Sequence, residues 1–167
     1  SFLILERPYL KDRILTFLDP TGDPYGASYQ IQQSLIAIGS GEIFGRGLGQ
    51  SIQKFNYLPE PAGDSIFAVI AEELGFVGSS ALVMLFLFFM LRGYRIANRT
   101  NDPFGRLLGV GLITLITTQA FLNMGSLSGV FPLTGVPLTF VSHGGTALLV
   151  ALAEVGIILS ISRGARR

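Results

Sequence analysis

Four carboxylates stand in the stretch "YLPEPAGDSIFAVIAEELGF" (57–76): Glu60 between two prolines, then Asp64, then Glu72 and Glu73 within an apolar run. An ionised carboxylate can take a proton from a hydroxyl, ligate a hard cation or accept a helix N–H. Asp64 lies where a helix should begin, so it suits an N-cap whose charge meets the positive end of the helix dipole. Capping and catalysis are both open to it and are compatible. At about 100° per residue, Asp64, Ala68, Glu72, Gly75 and Ser79 share a narrow arc of a continuous helix. Such a small, polar stripe should face a neighbouring helix or a wet cavity, because carboxylates do not face lipid. Glu72 and Glu73 are adjacent and point to different sides, and pairing with a basic residue is the expected structural role of each. His143, the single histidine, cannot build a metal cluster alone, so loop hydrogen bonding is the expectation for it. Glu154 falls near the middle of an apolar run, where a charge costs about 3 kcal/mol. It should face other helices and find a partner, or stay protonated. Thr117, Thr118, Gln119 and Asn123 put hydrogen-bonding groups on another run, where contact between helices is the default role.

The elements that position these groups are apolar and long. Of 167 residues, 49% are hydrophobic and only 14% are charged, well below the roughly 25% of soluble domains. Mean hydropathy is +0.54. A net charge of +1 gives no ground for a nucleic-acid partner, and the lack of cysteine excludes disulfides and thiolate metal sites. The chain opens on the apolar stub "SFLIL" and reads as the C-terminal part of a longer protein. The expected division is an external segment over 1–64 and three membrane helices over 65–167, at about 65–91, 107–131 and 144–162. The link between the first two spans carries Arg92, Arg95, Arg99 and Arg106, and the tail carries Arg163, Arg166 and Arg167. The positive-inside rule places both in the cytoplasm, and so puts Asp64 and the loop before the last span outside.

Within the external segment, "SYQIQQSLIAIG" (28–39) places Ile31, Leu35 and Ile38 on one helical face, as in a short helix lying against a bundle or in the interface. After it, "GSGEIFGRGLGQ" carries five glycines from Gly39 to Gly49. It has neither the Walker ending nor the dinucleotide spacing, so an irregular loop is expected rather than a phosphate cradle.

Two long stretches carry a family resemblance. "ILTFLDPTGDPYGASYQIQQSLIAIGSGEIFGRGLGQSIQKFNYLPEPAGDSIFAVIAEELGFVG" resembles the large external loop and following helix of the SEDS family, the FtsW, RodA and SpoVE proteins of division, elongation and sporulation. "NMGSLSGVFPLTGVPLTFVSHGGTALL" resembles the segment joining that family's last two helices. "QKFNYLPEP" and "SHGGTAL" look more like the division branch. The resemblance implies an all-α polytopic membrane protein, with this chain as the C-terminal part of a ten-helix bundle in the bacterial cell membrane, its C-terminus cytoplasmic. It implies a peptidoglycan glycosyltransferase that polymerises lipid II and works with a class B penicillin-binding protein and other division proteins.

The family's proposed catalytic aspartate closes an "LPE…D" motif, which here carries over to Asp64 in "LPEPAGDSIFA". The chain departs from the family at Ala62-Gly63, where many members have His-Thr, at Ser65, and at His143, where Tyr is more usual. Growth of a glycan strand needs a base for the acceptor hydroxyl, and a pyrophosphate leaving group needs cations. Arg46 and Lys54 are the local candidates for the latter, and Glu60, Glu72, Ser142 and His143 complete the expected substrate-contacting set. A divalent cation, magnesium or manganese, at Asp64 and Glu60 is compatible with the motif. Two other readings stand beside the enzyme: a flippase for the lipid-linked precursor, and a division scaffold without chemistry. With most of the groove expected on earlier helices, residues 1–167 alone should be inactive.

Overall fold

The computed structural model describes residues 27–53, 58–59 and 61–164, in which four helices account for most of the chain. They are α1 (Ala27–Ser40), α2 (Ile66–Asn98), α3 (Pro103–Leu127) and α4 (Gly145–Gly164). The last three are long and apolar enough to cross a membrane, with mean hydropathies of 2.3, 1.6 and 2.0 over their most apolar stretches. No strand occurs among the described residues. The protein is therefore an all-helical, multi-pass membrane chain. Glu60, Lys54 and the N-terminal stub lie outside the described residues.

The spans differ from the sequence expectation at their ends, for local reasons. Helix α2 runs on to Asn98 because arginine is a good helix former and does not stop a helix on leaving the hydrocarbon. A short turn then reverses the chain, and Asp102 starts α3: its carboxylate accepts from the N–H groups of Phe104 at 3.2 Å and Gly105 at 2.8 Å. Pro103 occupies the first helical position, where the missing N–H is harmless. Helix α3 stops at Leu127 rather than continuing to Phe131, because Gly129 adopts φ +73° and turns the chain out of the helix.

Helix α3 is central, packing against α1, α2 and α4. Small residues bring its neighbours close. A Cβ at Gly93 of α2 would lie 2.8 Å from the Ile113 side chain, and Gly109 sits against Ala97. Tyr94 and Thr114 hydrogen-bond between α2 and α3 at 2.9 Å. One core, at the end where α2 begins, gathers Ile31, Phe67, Phe86, Met124, Leu127 and Leu138, and a second core at the arginine end gathers Ala97, Ile113, Ile116 and Ile158.

Helix α1 packs on α2, but through a different face from the one its apolar pattern suggests. Ser28, Ile31, Ser34 and Ala37 are buried, whereas Leu35 is 45% exposed. The small side chains let the backbones approach, and the Ser34 hydroxyl bonds the Gln30 carbonyl in its own helix at 2.8 Å, so the buried polar atom is satisfied.

Candidate functional site

Asp64 lies in the turn 61–65 that leads into α2, half-buried at the N-terminal end of the span. It does not cap the helix. Ser65 holds the N-cap position, at φ −94° and ψ 9°, and no side chain makes a cap bond there. The Ser65 hydroxyl instead donates back to the Pro59 carbonyl at 2.9 Å and accepts from Gln30 of α1 at 3.0 Å. The chain thus enters α2 through a closed turn rather than from an extended strand, and the capping expectation for Asp64 gives way to this geometry.

Three successive carbonyls of the turn are each gripped from elsewhere in the chain. The His143 N–H donates to Ala62 at 2.7 Å, the Ser142 hydroxyl to Gly63 at 2.8 Å, and the Asn123 amide to Asp64 at 2.8 Å. Asn123, buried in α3, also donates to the Val136 carbonyl at 2.7 Å, so one side chain ties the Asp64 turn to the segment before α4. The Ser142 hydroxyl in turn accepts from the Leu138 N–H at 2.8 Å. A buried carbonyl without a partner is costly, so these bonds fix where the turn sits. The structure brings Ser142 and His143 to Asp64 through backbone contacts, with the His143 side chain exposed. Asn123 and Gln30 complete the clamp. Sequence reasoning had given Asn123 only a generic role between helices, and its one signal was an amide in an otherwise apolar span.

Beyond Ser142 a cavity of about 290 Å³ runs along α4, lined by Gln119, Thr139, Ser142, Thr146 and Glu154 among others. Thr139 donates to Gln119 at 3.5 Å across it. Glu154 lies on this wall, half-buried, and forms no ion pair or hydrogen bond with the described residues, so of the two expectations for it the described residues supply no partner.

Glu72 occupies a different place from a substrate ligand. It is fully buried, and both its oxygens are engaged: Ser51 donates to one at 2.5 Å and the Ile52 N–H to the other at 3.1 Å. The Arg46 guanidinium lies 3.8 Å away and also donates to the Ser40 carbonyl at 3.2 Å. Arg46 is therefore tied to Glu72 and α1 rather than to the Asp64 turn. Its side chain is 40% exposed.

These contacts surround a break in α2. At Gly75, φ +68° and ψ −163° interrupt the helix in a region essentially closed to other residues. An unbroken helix would pair the N–H of Phe76 with Glu72 and that of Val77 with Glu73. Here Phe76 donates to Glu42 at 2.9 Å and Val77 to Ile43 at 3.1 Å, while Arg46 and Gly47 donate to the carbonyls of Glu72 and Glu73, both at 3.0 Å. The glycine-rich loop is inserted into the break and exchanges hydrogen bonds with it. A Cβ at Gly41 would lie 1.9 Å from the Ala71 oxygen, one at Gly45 2.1 Å from the Glu73 oxygen, and one at Gly75 2.3 Å from the Gly45 nitrogen. The loop's glycines thus serve close approach to a helix backbone. The break also overturns the continuous stripe expected from Asp64 to Ser79, because residues after Gly75 no longer share the angular register of those before it.

Among the described residues no group of three His, Asp or Glu side chains could hold a metal ion. The carbonyls of Ala62, Gly63 and Asp64 already take protein donors, so a cation at this turn would depend on the Asp64 carboxylate and on Glu60.

The family described as Cell cycle protein (FTSW_RODA_SPOVE) matches residues 1–167. The chain is 47% identical over 164 residues to Stage V sporulation protein E of Bacillus subtilis, covering 98% of this chain and 45% of that protein. It is 45% identical over 161 residues to the probable peptidoglycan glycosyltransferase FtsW of Geobacter metallireducens, covering 96% of this chain and 43% of that protein. It also superposes with a TM-score of 0.74 and 30% identity on a chain from a structure on the coordination of polymerization and crosslinking by a peptidoglycan synthase complex, covering 96% of this chain and 44% of that chain. The chain spans less than half the length of these relatives.

Proposed function

The chain belongs to the FtsW, RodA and SpoVE family of cell cycle proteins, and on that premise we propose that it carries the catalytic turn of a peptidoglycan glycosyltransferase acting on lipid II at the outer membrane face. Asp64 is the general base. It removes the proton from the acceptor sugar's 4-hydroxyl as that oxygen attacks the donor's anomeric carbon. The bond from that carbon to the lipid pyrophosphate breaks, the leaving group departs with the electron pair, and Asp64 returns its proton to solvent. Asn123, Ser142 and the His143 backbone hold the turn so that the carboxylate stays at one position through many cycles. Lys54 is the cation proposed for the pyrophosphate charge, since Arg46 is held by Glu72 and the Ser40 carbonyl.

The observation that carries this reading is the grip on the Asp64 turn: three carbonyls in a row are held by donors from α3 and from the segment before α4. A turn that served only to start a helix would not need three long-range clamps. A transporter reading draws on broken helices, whose free backbone ends hold ions and substrates in such proteins. In α2 those ends are occupied by the glycine loop, which removes that support.

Reconstitution of the full-length protein with lipid II tests the proposal. Asp64→Asn should lower strand formation by roughly 10²–10⁴-fold with melting temperature and lipid translocation unchanged. Strand formation at the unmodified rate would discard Asp64 as the base. Assembly with a class B penicillin-binding protein belongs to the same proposal, and Asp64→Asn should leave that assembly intact.

A further inference from the structure

At the end of α2 and α4 remote from Asp64, four guanidiniums surround one cavity. Its volume is about 430 Å³, and it is walled by Arg92 and Arg95 of α2, by Arg99 that caps that helix, and by Ser162 and Arg163 of α4, with Ile96 and Leu159 supplying apolar patches. No acid lines it. The nearest acid along the chain, Asp102, is engaged in capping α3. None of the four arginines forms an ion pair with a described residue. Arginine does not lose its proton in proteins, so like charges converge here without internal relief. An anion would remove that repulsion, and a phosphate diester suits the planar, forked donors of several guanidiniums better than a carboxylate does.

Position along the helix identifies the source of the phosphate. From Phe76 to Leu91 α2 carries no charge, a length of roughly 24 Å at 1.5 Å per residue. This nearly fills a hydrocarbon core of about 30 Å. Arg92 therefore stands at the hydrocarbon edge and Arg99 about 10 Å further out, so the cavity spans the headgroup layer. Its apolar patches at Ile96 and Leu159 match the glycerol and upper acyl carbons of a lipid, which a free phosphate would leave uncovered.

We propose that this cavity binds the headgroup of an anionic membrane phospholipid. Setting membrane orientation is a role that needs only the sum of charges in the link and tail. A site needs the particular arginines of the cavity. Arg106 separates the two: it lies in the same link, is exposed, and does not line the cavity.

The test is native mass spectrometry of the full-length protein released from detergent with phosphatidylglycerol, phosphatidylcholine or inorganic phosphate added. The unmodified protein should retain phosphatidylglycerol over phosphatidylcholine, and millimolar phosphate should not displace it. R95Q/R99Q/R163Q should lower retention about tenfold, and R106Q should leave it unchanged. Should the triple variant not fold, R95Q and R163Q singly carry the same readout, each with a loss of about threefold. Equal retention of the two lipids, displacement by phosphate, or an equal loss in R106Q would overturn the proposal. The last would leave only a charge-counting role, and displacement by phosphate would make it a free-anion site.

Discussion

Asp64, in the turn that leads into α2, and Glu72, in its second turn, stand close in sequence, yet the protein treats them in opposite ways. Around Glu72 the carboxylate itself is the anchor: its oxygens take Ser51 and Ile52, Arg46 stands beside it, and nothing of it reaches solvent. Around Asp64 the long-range clamps fall on backbone carbonyls, and the residue is half-buried. The first arrangement uses a charge to fasten a loop. The second uses a loop to place a charge. A fully buried carboxylate has no freedom left for proton transfer to a substrate, whereas a half-buried one on a fixed backbone is placed where a substrate can reach it.

Breaking the Glu72 region should therefore cost stability, and loosening the Asp64 turn should cost rate. The largest stability effect is expected at Gly75→Ala, which forces a side chain into a glycine-only conformation against the Gly45 backbone. We expect a loss of about 4 kcal/mol, seen as a collapse of the folded fraction in size-exclusion chromatography after heating. Glu72→Ala removes the buried carboxylate that accepts from the Ser51 hydroxyl and the Ile52 N–H and should cost about 3 kcal/mol in the same assay. Asn123→Ala removes two bonds at once and should cost about 2 kcal/mol. Unlike the first two, it should also lower strand formation per folded molecule, because the turn carrying Asp64 is released. Ser142→Ala removes one clamp and the acceptor of the Leu138 N–H and should cost about 1.5 kcal/mol, with a smaller loss of rate because only one of the two bonds holds the turn. If Asn123→Ala and Ser142→Ala changed stability alone, the clamps would be no more than packing.

Sequence reading recovered what long-range hydropathy and charge can carry. The three spans stand out because their uncharged runs are long, whereas the residue pattern left Asp64 open between capping and chemistry, and only the family resemblance singled it out. The break at Gly75 was hidden, since "EELGFVG" has the composition of an ordinary helix interior. Only the meeting of Gly41, Gly45 and Gly75 from distant positions reveals why glycines recur there. The face of α1 misled for a similar reason: Leu35 is more apolar than Ser34, but closeness to α2 favours the smaller side chain. Likewise, the bond from Asn123 to Asp64 joins residues that no local pattern links.

The most direct measurement compares full-length Asp64→Asn and Glu72→Gln by lipid II polymerisation rate, each normalised to folded protein. Asp64→Asn should fold as the unmodified protein does and lose nearly all of its rate per molecule. Glu72→Gln should fold less well and keep its rate per folded molecule. Equal loss per folded molecule in both, or retention of rate in Asp64→Asn, would contradict the division of labour between the two carboxylates.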